Sequence, residues 1–178
     1  MLTIDRETST LLLVDFQSRL MPVIEGAASV VANARRLLDA AKILDIPILF
    51  TEQNAAGLGP TVPELSAEAE GAVVHKMTFD ACRTAGFIER LAVRPAVVLA
   101  GCEAHVCVLQ TVLGLIDAGR RVYVVRDALG ARRSESKETA IQRMERHGAE
   151  VVTTEMVVFE WLGTAEHPLF RAALALIK

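Results

Sequence analysis

The sequence predicts an α/β protein in three layers, with one parallel sheet of six strands between two layers of helices. Three observations carry that expectation. Apolar runs of strand length alternate six times with stretches of helical period. The runs are continuous rather than alternating, as in strands covered on both faces. A chain of 178 residues that is 52% apolar also has the material for a single core and one domain. Parallel neighbours require right-handed crossovers, so helices fall on both faces.

Thr10–Asp15 is the first run, and it ends in a carboxylate. After Pro22 and Gly26, the apolar positions Ala27, Val30, Val31, Ala34, Leu37, Leu38, Ala41 and Leu44 recur at helical spacing. Pro47 opens a second short strand, Ile48–Phe50. The stretch Thr51–Val62, punctuated by Gly57, Gly59 and Pro60, reads as a long loop. Glu64–Ala69 fits a short helix, and Ala72–Lys76 a third strand that ends in a cation. Cys82–Leu91 reads as a helix, after which Pro95 begins a central strand.

That strand breaks at Gly101, and Val106–Ala118 follows as a helix apolar around nearly its whole circumference. Such a helix is expected to be buried in the fold or against a second copy, so a homo-oligomer is expected. Arg121–Arg126 is the fifth strand. Ser134, with Glu135 and Glu138, suggests a capped helix start running to about His147. Ala149–Thr153 is the sixth strand, Glu155–Trp161 a short segment, and His167-Pro168 opens a last helix to Ile177.

Composition narrows the partners. Net charge is −3, and Lys and Arg are scattered, so neither nucleic acid nor an anionic membrane is expected as a partner. The apolar runs fall well short of the roughly 20 residues a spanning helix needs. The first residues lack the layout of a signal peptide, and three cysteines make no disulfide framework, so a reducing, cytoplasmic setting is expected. A small-molecule substrate fits best. Gly57 and Gly59 do not form a dinucleotide fingerprint, and no cofactor is expected.

Ligands of parallel sheets bind beyond the carboxyl ends of the strands, near the point where strand order reverses. That rule gathers Asp15, Lys76 and Cys107 from distant parts of the chain. Cys107 near a helix start is the candidate nucleophile, with two reasons to ionise: the positive helix end and the unpaired first-turn N–H groups. Asp15 would take its proton and Lys76 would hold the anion. Gln17, at alternate spacing from Asp15, is a candidate for orienting substrate, with an exposed turn residue as the plain alternative. Cys102, His105 and Cys107 lack the spacing of a structural zinc site, so no metal is expected. His75, His147, His167 and Trp161 read as structural. A redox thiol pair of Cys102 and Cys107 remains a further alternative, without a C-x-x-C motif.

The segment Gly101-Cys-Glu-Ala-His-Val-Cys107, with Leu-Val-Asp15-Phe-Gln17 and His-Lys76-Met-Thr-Phe, resembles the isochorismatase-like cysteine hydrolases over nearly the whole chain. Thr51-Glu-Gln-Asn54, the stretch Gly57–Glu64 and His167-Pro-Leu-Phe170 are most similar to the isochorismatase domain-containing, metal-free branch. The resemblance implies an isochorismatase-like hydrolase fold with strand order 3-2-1-4-5-6. It implies a triad at Asp15, Lys76 and Cys107, a cis peptide at Cys102–Glu103, and an oxyanion hole from the backbone N–H groups of Glu103 and Cys107.

It also implies a cysteine hydrolase that cleaves a non-peptide C–N bond of a small amide or carbamoyl compound through a thioester. The loop after the second strand has no histidine, so the metal of related nicotinamidases is not expected here. Ala104 and His105 replace the Thr and Asp common among relatives. That change, with the apolar helix, motivates a competing expectation: a catalytically silent structural or interaction protein on the same fold.

Overall fold

A computed structural model describes residues 2–91 and 94–178. Six parallel strands form one sheet in the order β3-β2-β1-β4-β5-β6: β1 Ser9–Val14, β2 Ile48–Gln53, β3 Val73–Lys76, β4 Ala96–Cys102, β5 Arg121–Gly130 and β6 Glu150–Val152. The chain builds outward from β1 to β3, then returns to the centre and builds the other way from β4 to β6. The reversal therefore lies between β1 and β4, where the two carboxyl ends diverge.

The period of two along the buried strands sorts the side chains between two cores. Leu11, Leu13, Val98, Ala100 and Val125 face one layer, α1 Ala27–Ile43 with α3 Pro63–Ala69, α7 Thr154–Leu162 and α8 Phe170–Ile177. Leu12, Val14, Val97, Leu99 and Val124 face the other, formed by α4 Phe87–Arg90, α5 Leu109–Asp117 and α6 Ser134–Arg146. A four-residue helix, α2 Ala55–Leu58, lies in the loop after β2. No helix among the described residues is long and apolar enough to cross a membrane.

Several boundaries differ from the sequence expectation, each for a local reason. Thr51–Gln53 extend β2 instead of opening the loop, because they pair with Val74–Lys76 of β3. β5 runs four residues past Arg126. Asp127, the first residue past the expected end, accepts from Thr154 N at 2.9 Å and Thr154 Oγ1 at 3.0 Å at the start of α7. The expected helix Cys82–Leu91 is broken into a 3-10 turn, Ala81–Arg83, and the short α4. Gly86, at φ 78°, adopts the left-handed conformation that separates them.

Glu155–Trp161 is the body of α7, whose first turn is capped by the Thr153 hydroxyl bonding Met156 N at 3.3 Å. Ser134 does not cap α6. Arg133 holds the cap position, and Ser134 N donates to Glu25 Oε2 at 2.8 Å, a carboxylate brought to the helix end from elsewhere in the chain. The last helix begins at Phe170 rather than at His167-Pro168. The all-round apolar helix is only partly enclosed: Leu109, Val112 and Leu115 are buried, whereas Gln110 is exposed and Leu113 and Ile116 are half-buried.

Candidate active site

The site is built from the ends of three strands. β1 ends at Val14, and Asp15 follows at φ 55°, a left-handed backbone that Asp adopts more readily than most residues. Its amide remains in the ladder, donating to Thr51 O at 3.1 Å. The Asp15 side chain is fully buried. Thr51 Oγ1 donates to Asp15 Oδ1 at 2.6 Å, and Lys76 Nζ bonds Asp15 Oδ2 at 2.7 Å, so each carboxylate oxygen has its own donor.

Lys76 ends β3, two strands from β1 and so roughly 10 Å away at the usual strand spacing. Its long side chain crosses the end of β2 to make the contact. The ammonium also donates to the carbonyls of Thr78 at 3.3 Å and Phe79 at 3.4 Å, which use its remaining protons. A fully buried ion pair of this kind persists when each charge is hydrogen-bonded, as both are here.

Cys107 enters from β4. Gly101 lets the strand end pass close to β1: a Cβ there would lie 2.6 Å from both Val14 Cβ and Val14 O. The Cys102–Glu103 peptide is cis, as the resemblance implies. The chain then forms a π turn, Ala104–Val108, with Val108 N bonded to Glu103 O at 3.2 Å. Cys107 therefore sits inside a wide turn rather than in the first turn of an α-helix, and α5 begins after it. Turns of this kind recur at functional sites.

Cys107 is 7% exposed. Burial pushes its pKa up to about 12, the neighbouring Asp15 carboxylate adds to the rise, and the Lys76 ammonium opposes it. Burial thus outweighs the two reasons to ionise that the sequence offers. At neutral pH Cys107 carries its proton, next to a carboxylate able to accept it and an ammonium able to offset the resulting charge. Cys82 is also raised to about 12 by burial, and Cys102, deeper in the core, is raised further.

Gln17 is neither an exposed turn residue nor free to meet a ligand. Its side chain is buried; Nε2 donates to Gln53 O at 3.0 Å and Gly59 O at 2.7 Å, and Oε1 accepts from Gln53 N at 2.9 Å. It ties the loop after β1 to the end of β2. Thr51, absent from the sequence-derived set, is the residue that reasoning missed. Its signal was its place beside Val14 in register, one position before Asp15.

Of the residues read as structural, Trp161 is 2% exposed and packs in the core, and His147 Nδ1 meets Arg143 O at 2.8 Å at a helix end. His167 contacts Arg6 and accepts from Leu169 N at 3.1 Å. His75 differs from expectation. Its side chain is 69% exposed, beside Glu52 at 3.4 Å, rather than packed. Among the described residues no group of three or more His, Cys, Asp or Glu side chains is placed to hold a metal.

On the β5 side, the Arg132 guanidinium bonds Glu103 Oε1 at 2.5 Å. A cavity of about 290 Å³ is bordered there by His105, Arg132, Arg133 and Ser136.

Comparison with known proteins identifies the family and the fold. Residues 9–156 match the model of the isochorismatase domain. The chain is 38% identical over 174 residues to isochorismatase domain-containing protein 2 of Macaca fascicularis, covering 96% of this chain and 83% of that protein. Among solved structures, the MAR1 ribonuclease of Caenorhabditis elegans superposes with a TM-score of 0.93 at 37% identity, covering 98% of this chain and 92% of that one. The YcaC gene product of Escherichia coli, described as an octameric hydrolase of unknown specificity, gives a TM-score of 0.91 at 27% identity over 98% and 88% of the two chains. With the domain matched across most of its length and the sheet in the order 3-2-1-4-5-6, the chain belongs to the isochorismatase family.

Proposed function

We propose that the protein is a cysteine hydrolase that cleaves a non-peptide C–N bond of a small amide or carbamoyl compound without a cofactor. The observation that carries this reading is the buried Asp15–Lys76 pair acting on the Cys107 thiol. Three groups from distant parts of the chain have been removed from water together. Such an arrangement contributes little to stability relative to apolar packing and is suited to moving one proton.

In the proposed reaction Asp15 accepts the thiol proton as sulfur attacks the carbonyl carbon, and Lys76 offsets the charge on the thiolate. The backbone N–H groups of Glu103 and Cys107 hold the oxyanion. Collapse breaks the C–N bond, and the amine leaves with the proton returned by Asp15. Water then adds to the thioester carbonyl, giving its proton to Asp15. Expulsion of the sulfur releases the acid, and the proton returns to Cys107. The sum is amide plus water to acid plus amine.

Because the resting thiol is protonated, attack and proton transfer are coupled, and Asp15 acts in each turnover rather than once. The buried Gln17 serves this site by fixing the loop after β1, not by contacting substrate. The octameric E. coli relative, with Met77 at 71% and Phe79 at 49% exposure beside Lys76, supports a homo-oligomer. Three free thiols are in keeping with the cytoplasm.

A second reading is favoured by the closure of the site, with Asp15, Lys76 and Cys107 all less than a tenth exposed: a silent interaction protein on the same fold. A panel of small amides, ureas and carbamoyl compounds, with RNA as a separate arm, decides between them. Turnover of at least one small compound, lost in Cys107→Ala with the fold intact, is expected. No turnover by wild-type protein favours the silent reading, and RNA cleavage that survives Cys107→Ala removes both.

A further inference from the structure

We propose that Thr51 is a positioning residue for the reaction: its buried hydroxyl holds the Asp15 carboxylate in place and keeps it ionised, ready for the Cys107 proton. The inference rests on the hydrolase reading above and assigns a further residue to that same site. On a strand covered on both faces Val would fill the same shape, and a hydroxyl there costs free energy unless it is bonded. Thr51 is 1% exposed. Its hydroxyl has one proton to give, and among the described residues the acceptor it meets is Asp15 Oδ1, at 2.6 Å.

Thr51 grips Asp15 at two points. Val14 and Thr51 are partners in the β1–β2 register, so Asp15 N donates to Thr51 O at 3.1 Å while the Thr51 hydroxyl donates to the carboxylate. Asp15 has a left-handed backbone, φ 55°, which surrounding contacts must hold. The end of β2 is itself fixed. Glu52 Oε1 accepts from Thr61 N at 2.7 Å and Thr61 Oγ1 at 2.8 Å, Gln53 N donates to Gln17 Oε1 at 2.9 Å, and Asn54 N donates to Lys76 O at 2.9 Å. A group borne on so well-tied an element keeps its geometry.

The charged and titratable groups around Asp15 are Lys76 from β3, Cys107 from the π turn and Cys102 from β4. Both thiols keep their protons, so Lys76 is the charged member at rest. Its ammonium has two duties: it bonds Asp15 Oδ2 at 2.7 Å, and it offsets the sulfur charge once the proton has moved. Thr51 has one. It stays with Asp15 throughout, and a donor on a carboxylate favours the ionised form over the acid. Asp15 is thereby able to accept a proton in mildly acid solution, and it holds that proton loosely enough to return it to the departing amine. The hydroxyl keeps its own proton and exchanges no atom with the substrate.

The test reads the Asp15 carboxyl directly, by NMR of the aspartate side-chain carboxyl carbons in the full-length protein. The Asp15 resonance is assigned by its loss in Asp15→Asn, and its acid titration is followed in wild type, Thr51→Val and Thr51→Ser. Removing the hydroxyl should move the midpoint upward by about one pH unit or more, about a tenfold change in the proton equilibrium. Thr51→Ser, which keeps the donor, should return it most of the way. The acid limb of kcat/KM, for a compound from the amide and carbamoyl panel, should move with the midpoint. A merely structural role would lower Tm and leave the midpoint in place.

Equal midpoints in wild type and Thr51→Val overturn the inference. So does a carboxyl that stays ionised in both down to acid unfolding, or a shift that Thr51→Ser fails to reverse. Should Thr51→Val not fold, Thr51→Ala carries the same expectation. Turnover whose acid limb is indifferent to Thr51→Val removes the inference and leaves the hydrolase reading standing. A shifted midpoint in a protein that turns over no compound leaves the coupling of Thr51 to Asp15 standing without the hydrolase reading.

Discussion

Removing either charge of the buried pair should harm the protein far more than removing both, and the size of that difference follows from the contacts. Lys76→Met strips Asp15 Oδ2 of the ammonium at 2.7 Å and leaves a fully buried carboxylate with the Thr51 hydroxyl at 2.6 Å. Asp15→Asn leaves the Lys76 ammonium with carbonyl partners at 3.3 and 3.4 Å. Breaking a buried pair from one side costs about 3–5 kcal/mol, because the remaining charge is uncompensated. For a chain of this length each kcal/mol corresponds to about 2–4 °C, so each single variant should lose roughly 6–20 °C in Tm.

The double variant, Asp15→Asn with Lys76→Met, buries no net charge and leaves only neutral polar groups imperfectly paired, worth about 1–3 kcal/mol. Urea denaturation of the four proteins closes the cycle. The double should fall short of the summed singles by at least about 3 kcal/mol. All three variants should have lost hydrolysis, so stability and activity part company in the double. Additive losses, or singles within about 2 °C of wild type, would refute the claim that these side chains form one desolvated unit.

Gln17→Leu should lower stability by about 1–3 kcal/mol, since one amide satisfies three backbone groups, the Gly59 carbonyl among them buried, and hydrogen exchange at the Gln53 amide should accelerate. A raised KM with unchanged Tm would instead return Gln17 to substrate binding. Gly101→Ala forces a Cβ to within 2.6 Å of backbone and side-chain atoms of Val14 and should cost about 1–3 kcal/mol or prevent folding, read from soluble yield and urea midpoint.

The thiols predict alkaline lability. The Cys107 thiol titrates near its ordinary value of 9.0 when unfolded and near about 12 when folded, so between those values the unfolded chain binds fewer protons and stability falls as pH rises. The slope is at most about 1.4 kcal/mol per pH unit for each such thiol. Cys107→Ala should flatten it in urea midpoints taken from about pH 8 to 10, and an unchanged slope contradicts the assigned direction.

Much of this site is legible in sequence because parallel sheets collect strand ends. Continuous apolar runs mark β1, β3 and β4, and a carboxylate, an ammonium and a thiol just beyond them can meet only at the point where strand order reverses. The family resemblance then supplies the strand order. What sequence could not disclose depends on hydrogen bonds between distant segments. The stretch Ala104–Val108 has ordinary helical composition, and only the bond from Val108 N to Glu103 O makes it a π turn.

Helix-end arguments for ionising Cys107 are incomplete for a related reason: they omit the burial and the neighbouring carboxylate that oppose ionisation. Gln17 and Ser134 show the same limit. Each carries a residue type suited to one task, but the partner that assigns another task, Gly59 for one and Glu25 for the other, lies elsewhere in the chain. β5 likewise runs past Arg126 to Gly130, with Asp127 held by Thr154 of α7.

The most direct test of the mechanism is mass spectrometry of acid-quenched protein during turnover of a compound identified in the amide and carbamoyl panel. An acyl mass on the Cys107 peptide, reversible on standing in water and missing from Cys107→Ala, is the predicted result. Continued hydrolysis by Cys107→Ala, with no adduct on the wild-type thiol, would contradict the account.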